Sequence, residues 1–272
     1  MKTKILLCDL DATLFDDKKR VSDEDLGSIN EMIDAGHRFV IATGRPLYSA
    51  KVVSREIGLF RDGIILLSSN GAVIYDCATD KVIARESLPL DVVDDLFRAA
   101  LSENLSIHTY TDDNVVSEHL TREIRMYTSV IKMPFAPMAS IPRDLPEPPP
   151  KLIVMSAEEN SREILIDFEA RHAAMVGERA ESVFSNDHLL EYLPVGVSKG
   201  TGLRTVCSLL DIPLENSIAA GDEANDIPMI VAAGVGAVMK NGTDEAKSHA
   251  DYVTKRTNNE SGVSEIIRKF VF

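Results

Sequence analysis

Two aspartates, Asp9 and Asp11, follow directly on the apolar run Ile5-Leu6-Leu7-Cys8. Strand alternation would put both carboxylates on one side of the chain. Carboxylates that close repel each other, so a cation or a shared proton must sit with them. One could then serve as nucleophile and ligand, the other as acid and base. Taken alone, the pair also reads as an acidic cap on a strand. A second acidic group, Gly221-Asp222-Glu223-Ala224-Asn225-Asp226, follows the short apolar stretch Ser217 to Ala220. Its carboxylates and amide suit a hard cation that prefers oxygen ligands. The alternative is a cap for the next helix by Asn225 or Asp226.

Three further clusters carry phosphate-binding chemistry. Thr43-Gly44-Arg45-Pro46 offers a hydroxyl and backbone N–H groups near a helix start, which is a phosphate cradle or a plain strand-to-helix turn. Ser69-Asn70-Gly71 reads as another such loop or as a turn into a hairpin. Lys199, in Gly196-Val197-Ser198-Lys199-Gly200, stands at a helix start, where the dipole disfavours a cation. A nearby anion would explain it; so would a solvated surface position.

The elements that must position these groups are short and alternate in type. Strands are expected at Ile5 to Cys8, Phe39 to Ala42 and Ile64 to Leu67, with helices at Ser22 to Ala35 and Leu47 to Ile57. That βαβαβ order predicts a Rossmann-like parallel sheet with helices on both faces. A hairpin, Ala72 to Tyr75 and Lys81 to Arg85, comes next. A mixed α+β stretch then follows, with a proline-rich connector around Pro142, Pro146 and Pro148 to Pro150. Alternation resumes with a helix from Lys199 to Leu210, a strand at Ser217 to Ala220 and a helix at Asp226 to Ala233. The reading is a split α/β core, residues 1–81 and 192–272, with a second, α+β domain inserted at 82–191. Every chemical cluster then falls at the carboxyl end of a core strand, where open parallel sheets bind ligands.

Composition narrows the function. The chain has 272 residues, 44% hydrophobic and 26% charged, with a net charge of -14. That charge repels nucleic-acid backbones and anionic lipid, so neither is an expected partner. It also means that a phosphate ester would need a cation and a few placed Lys or Arg residues. Cys8, Cys77 and Cys207 are widely spaced and form no C-x-x-C, so no disulfide framework or zinc cage is expected. The N-terminal apolar run is too short for a signal peptide and no run approaches ~20 apolar residues, which predicts a cytoplasmic protein. Oligomeric state is not legible.

In this order the motifs resemble those of the haloacid-dehalogenase-like phosphohydrolases, Cof-type branch. Asp9-Leu10-Asp11-Ala12-Thr13 is similar to their D-x-D-G-T signature, and the four clusters above, with Asn241-Gly242 and Ala250-Asp251-Tyr252-Val253-Thr254, fit the branch. The resemblance implies Asp9 as nucleophile and Mg²⁺ ligand, and Asp11 as general acid and then base, lending its backbone carbonyl to the metal. Thr43, Gly44, Lys199 and Asn225 would hold phosphoryl oxygens, Asp222 would bind Mg²⁺, and Arg45, Asn70 and Asp226 would support the loops. It implies a Mg²⁺-dependent phosphatase of small phosphorylated substrates, sugar phosphates or related phosphometabolites, working through an aspartyl-phosphate. A phosphomutase or phosphotransferase, or a non-catalytic phosphometabolite-binding protein, are the alternatives. The inserted domain is similar to the inserted α+β cap domain of this branch, and His108, Tyr110, Arg122, His188 and Glu191 are candidates for the cap's contribution to selectivity. Ala12 departs from the pattern, since glycine is usual there, and predicts a backbone that avoids glycine-only conformations. Asn241-Gly242 stands where Asn-Ala is more usual.

Overall fold

The computed structural model describes residues 2–272. The first core segment runs β1 (Ile5–Asp9), α1 (Asp23–Asp34), β2 (Arg38–Ala42), α2 (Leu47–Glu56), β3 (Ile64–Ser68), β4 (Val73–Asp76) and β5 (Lys81–Arg85). The insert holds α3 (Leu90–Ser102), β6 (Ser106–Tyr110), β7 (Val115–Ser117), α4 (Arg122–Ile131), β8 (Phe135–Pro137), β9 (Leu152–Met155), α5 (Ser161–Val176), β10 (Ala180–Asn186) and β11 (Leu189–Pro194). The chain then returns to the core through α6 (Lys199–Leu209), β12 (Ser217–Gly221), α7 (Ile227–Ala232), β13 (Val235–Val238), α8 (Asp244–Ser248), β14 (Tyr252–Val253) and α9 (Gly262–Phe270).

The chain divides into two compact units, one of residues up to Ala84 and from Ser198 onward, the other Arg85–Val197. The sequence placed these junctions at 82 and 191. They lie further on because β5 pairs into the core sheet and β11 extends to Pro194.

Among the described residues the core sheet has the strand order β14-β13-β12-β1-β2-β3-β4-β5. The strands from β14 to β3 run parallel, and β4 turns back antiparallel on β3. Ile5, Leu6, Leu7 and Cys8 are all fully buried, because β1 lies mid-sheet with both faces covered. Such strands read as unbroken apolar runs rather than alternations. One face packs Ile5, Leu7, Val40 and Leu67 against Leu203 and Val206 of α6 and Met229 of α7. Each such side chain contributes about 1.5–3 kcal/mol on burial.

Capping fixes the helix starts. Ser22 accepts the Asp25 N–H at 3.0 Å and starts α1. The Asp25 carboxylate accepts the Ser22 hydroxyl at 2.8 Å and the Ser264 N–H of α9 at 2.6 Å, so one side chain serves the starts of two helices. Ser198 and Thr201 form a reciprocal capping box at the start of α6.

The insert is a second sheet, β10-β11-β9-β6-β7-β8. One apolar cluster, including Val92, Leu96, Phe97, Ile107, Val154, Phe168 and Leu190, joins it to α3 and α5. β7 and β8, three residues each, are not apparent in the sequence. Cys8, Cys77 and Cys207 are free and buried. Among the described residues no helix is long and apolar enough to cross a membrane.

Candidate active site

Parallel register brings the strand ends together. Asp9 of β1 lies beside Ala42 of β2, and Ala42 beside Leu67 of β3, while Cys8 pairs with Ala220 of β12. The loops that follow are tied by their backbones. Thr43 N–H donates to the Leu67 carbonyl at 2.8 Å, Asn70 N–H to the Thr43 carbonyl at 3.1 Å, and Ser69 N–H to the Arg45 carbonyl at 2.9 Å. Gly71, at φ 108°, lies so close to Ser198 that a Cβ would overlap the Ser198 carbonyl. The loop after β3 therefore packs directly on the first turn of α6, and that turn carries Lys199.

Lys199 is fully buried. Its Nζ lies 2.5 Å from Asp9 Oδ1 and 2.6 Å from Asp226 Oδ1. The anion that its place at a helix start called for is thus a pair of protein carboxylates. Burial would lower the Lys199 pKa, but Asp226 and Asp9 outweigh it and hold the ammonium charged. Burial pushes the Asp9 carboxyl up against the pull of Lys199, and Asp226 and Asp222 add to the rise.

Asp226 Oδ2 accepts the backbone N–H groups of Asp222 at 2.9 Å and Glu223 at 3.2 Å. Both of its oxygens are engaged, one by the lysine and one by the loop that presents Asp222. Gly221 is required beside it, since a Cβ there would overlap the Asp226 carboxyl. Asp222 Oδ1 accepts from Thr13 Oγ1 at 2.7 Å. Burial, opposed by this hydrogen bond and aided by Asp226, pushes the Asp222 carboxyl up to about 6.

Asp9, Asp222 and Asp226 each offer an oxygen within 4.8 Å of the others. Three buried carboxylates against one lysine leave negative charge that the protein itself does not offset. The donor set is all oxygen, which fits a hard divalent cation such as Mg²⁺. Asp226, occupied by Lys199 and two N–H groups, fits the role of orienting the set better than that of a direct ligand.

Asp11 lies differently from the expectation. β1 ends at Asp9, so strand alternation does not carry to Asp11, which sits in a wide turn over Leu10–Leu14. Its carboxylate accepts Arg45 Nε at 3.0 Å, an Arg45 terminal nitrogen at 2.9 Å and Lys19 Nζ at 2.8 Å. Partial burial would raise its pKa, but Arg45 and Lys19 together pull it below the ordinary value. Ala12, in the same turn, has φ 62° and ψ 4°. That is left-handed but open to a residue with a Cβ, at some cost in strain.

Thr43 is buried and its Oγ1 accepts the Arg45 N–H at 3.2 Å. Gly44 packs against the Asn70 side chain, which a Cβ would meet at 3.1 Å. Asn225 is exposed on the turn before α7, outside the hydrogen-bonded cluster around Lys199. Lys19 is an addition that no local sequence signal marks; Thr13, which donates to Asp222, and Asn241, which donates to the Ala12 carbonyl at 2.8 Å, stand in motifs noted above but without a role assigned there.

The other polar candidates lie within the insert. His108 Nε2 meets Tyr110 Oη at 3.0 Å, Tyr110 meets Tyr127 at 2.6 Å, and Lys151 pairs with Glu191 at 2.8 Å, all buried or nearly so. His188 Nδ1 meets Ser161 Oγ at 2.8 Å, and Arg122 is exposed.

Known proteins share this architecture. Residues 6–267 match the haloacid dehalogenase-like hydrolase family. The chain is 30% identical to the 5-amino-6-(5-phospho-D-ribitylamino)uracil phosphatase YitU of Bacillus subtilis, over 99% of each chain. It is 26% identical to the HMP-PP phosphatase of Yersinia enterocolitica, over 88% of this chain and 84% of that one. The crystal structure of a haloacid dehalogenase-like hydrolase from Bacteroides thetaiotaomicron superposes with a TM-score of 0.89 at 30% identity, covering 100% of both chains. The chain belongs to the haloacid dehalogenase-like hydrolases and is a phosphatase of their Cof-type branch.

Proposed function

We propose that the protein is a Mg²⁺-dependent phosphatase of small phosphate monoesters, sugar phosphates or related phosphometabolites, working through an aspartyl-phosphate on Asp9. The observation that carries this reading is the buried contact of Lys199 Nζ with Asp9 Oδ1 at 2.5 Å, inside a cluster of oxygen donors at the strand ends. Binding alone needs no carboxylate held against a buried lysine at a strand end.

An Asp9 oxygen attacks phosphorus as the bond to the leaving oxygen breaks, and Asp11 supplies that oxygen's proton. Asp11 then takes a proton from water, whose oxygen attacks phosphorus and breaks the bond to Asp9, releasing phosphate. The Lys199 ammonium, the Thr43 hydroxyl and the Gly44 N–H stabilise the phosphoryl oxygens. Asp9 and Asp222, with the Asp11 carbonyl, would hold Mg²⁺, which when bound offsets charge on the transferring group. Asp11 acts as an acid only after it leaves Arg45 and Lys19, because two cations keep it ionised. Turnover therefore includes a reorientation of the Asp11 side chain.

The test is phosphate release from a panel of sugar phosphates, phosphorylated cofactors and, on the likeness to the Bacillus subtilis relative, 5-amino-6-(5-phospho-D-ribitylamino)uracil. Each is assayed with and without Mg²⁺, beside Asp9→Asn. Release by the wild type only, and only with Mg²⁺, is expected. Substantial turnover by folded Asp9→Asn would remove Asp9 as nucleophile.

A further inference from the structure

Three asparagines from the C-terminal part of the core bridge onto the loop that follows β1. Asn241 Nδ2 donates to the Ala12 carbonyl at 2.8 Å, and Asn241 Oδ1 accepts the Asn258 N–H at 2.9 Å. Asn258 Nδ2 donates to the Phe15 carbonyl at 2.9 Å and to Asp17 Oδ1 at 3.2 Å. Asn258 Oδ1 accepts from Asn259 Nδ2 at 3.3 Å, and Asn259 Oδ1 accepts the Asp17 N–H at 3.1 Å. Every contact on the far side falls between Ala12 and Asp17. Asn258 is buried, and its amide has partners for both donor and acceptor ends.

That loop has a reason to need holding. Ala12 sits at φ 62°, where a Cβ is strained. The turn closes on itself through the Phe15 N–H to the Leu10 carbonyl at 2.8 Å. The carbonyls of Ala12 and Phe15 are both taken by asparagine amides, which fixes the peptide planes at its middle and its end. Left to itself, an alanine would return toward right-handed values and rotate the Asp11 peptide with it. The chain on either side of Asn241 is fixed as well: Met239 N–H donates to the Gly221 carbonyl at 3.0 Å and Thr243 N–H to the Asp222 carbonyl at 2.9 Å. Asn241 therefore links the Asp222 loop to the Asp11 loop.

We infer that Asn258 is a positioning residue for Asp9 and Asp11: with Asn241 it holds Ala12 in the left-handed conformation that a glycine would adopt unaided. The kinetic part of this rests on the phosphatase reading above; the conformational part does not. The experiment crosses Asn258→Ala with Ala12→Gly, reading p-nitrophenyl phosphate hydrolysis with Mg²⁺ and hydrogen exchange over the segment Leu10 to Phe15.

Asn258→Ala is expected to lower kcat about tenfold with KM within about twofold, the loss of roughly one well-made hydrogen bond. Exchange at the Phe15 amide should quicken by a similar factor. Adding Ala12→Gly to that variant should recover most of kcat and slow exchange again. Unchanged exchange, or a kcat loss that Ala12→Gly does not relieve, would overturn the inference. If Asn258→Ala does not fold, Asn241→Ala, at an exposed position, carries the same cross with the same criteria. If the wild type hydrolyses nothing, the phosphatase reading fails while the exchange comparison still decides the role of Asn258.

Discussion

Thr13 Oγ1 donates to Asp222 Oδ1 at 2.7 Å, across 209 residues of sequence, with both side chains buried. This single bond joins the loop after β1 to the loop after β12. Thr13→Val keeps the shape and removes the donor. A hydrogen bond to a charged group is worth about 1.5–3 kcal/mol, so urea denaturation should show a loss in that range. A variant as stable as the wild type would mean that Asp222 draws its support from elsewhere.

Asp226→Asn should be costlier. Asp226 shares Lys199 with Asp9 and also accepts two backbone N–H groups with its second oxygen. An amide turns an NH₂ toward donors at one end or the other. Breaking a buried pair costs on the order of 3–5 kcal/mol. Chemical denaturation tests this directly, and a loss below about 1 kcal/mol would contradict a central role for the pair.

Gly71→Ala tests the contact that places Lys199. A methyl group there meets the Ser198 carbonyl and a backbone at positive φ. The first turn of α6 must shift, and Lys199 with it. A misplacement near 1 Å is enough to cost on the order of 100-fold in turnover. Phosphate release by the folded variant within about threefold of wild type would show that the site does not depend on this contact.

The buried histidines should draw stability down as the solution is acidified, before most carboxylates titrate. Burial and the Lys4 charge lower the His37 pKa, and burial with Lys151 takes His108 down to about 3. Unfolded histidine titrates near 6.5, so below that pH the unfolded chain binds more protons than the folded one. The contribution of both residues is complete above about pH 6.5 and drains as pH falls, for His108 down to about 3. Across urea midpoints at pH 7.5, 6.5 and 5.5 the wild type should lose more, or gain less, on acidification than His108→Phe, because the raised carboxyls of Asp9 and Asp222 act with the opposite sign in both. A His108→Phe slope identical to that of the wild type would overturn the assignment.

Much of the core was legible because its central strands are buried on both faces. Ile5 to Cys8, Phe39 to Ala42 and Ile64 to Leu67 are apolar runs bounded by polar loops, and those loops carry the chemistry. The short strands β7, β8 and β14 were not, since two or three residues form no period. Lys19 shows why part of the site was hidden. It lies in the run Lys18-Lys19-Arg20, and nothing local says which cation reaches Asp11. The answer depends on Asp16, whose carboxylate accepts the Lys18 and Arg20 N–H groups and the Arg20 guanidinium, shaping the turn that presents Lys19. Asp11 itself was misplaced because the strand stops one residue after Cys8, which no pattern of two alternating aspartates reveals.

The division of the core by an insert also has a consequence at the ribosome. β1 pairs with β2 on one side and β12 on the other, and β12 begins only at Ser217. At about 5–20 residues per second, the nascent chain carries β1 with one unpaired edge for roughly ten to forty seconds. An open edge on so apolar a strand is a template for any other extended chain nearby. The period of greatest exposure to aggregation is therefore the interval of translation that separates Asp9 from Ser217, and it closes when the second half of the core docks.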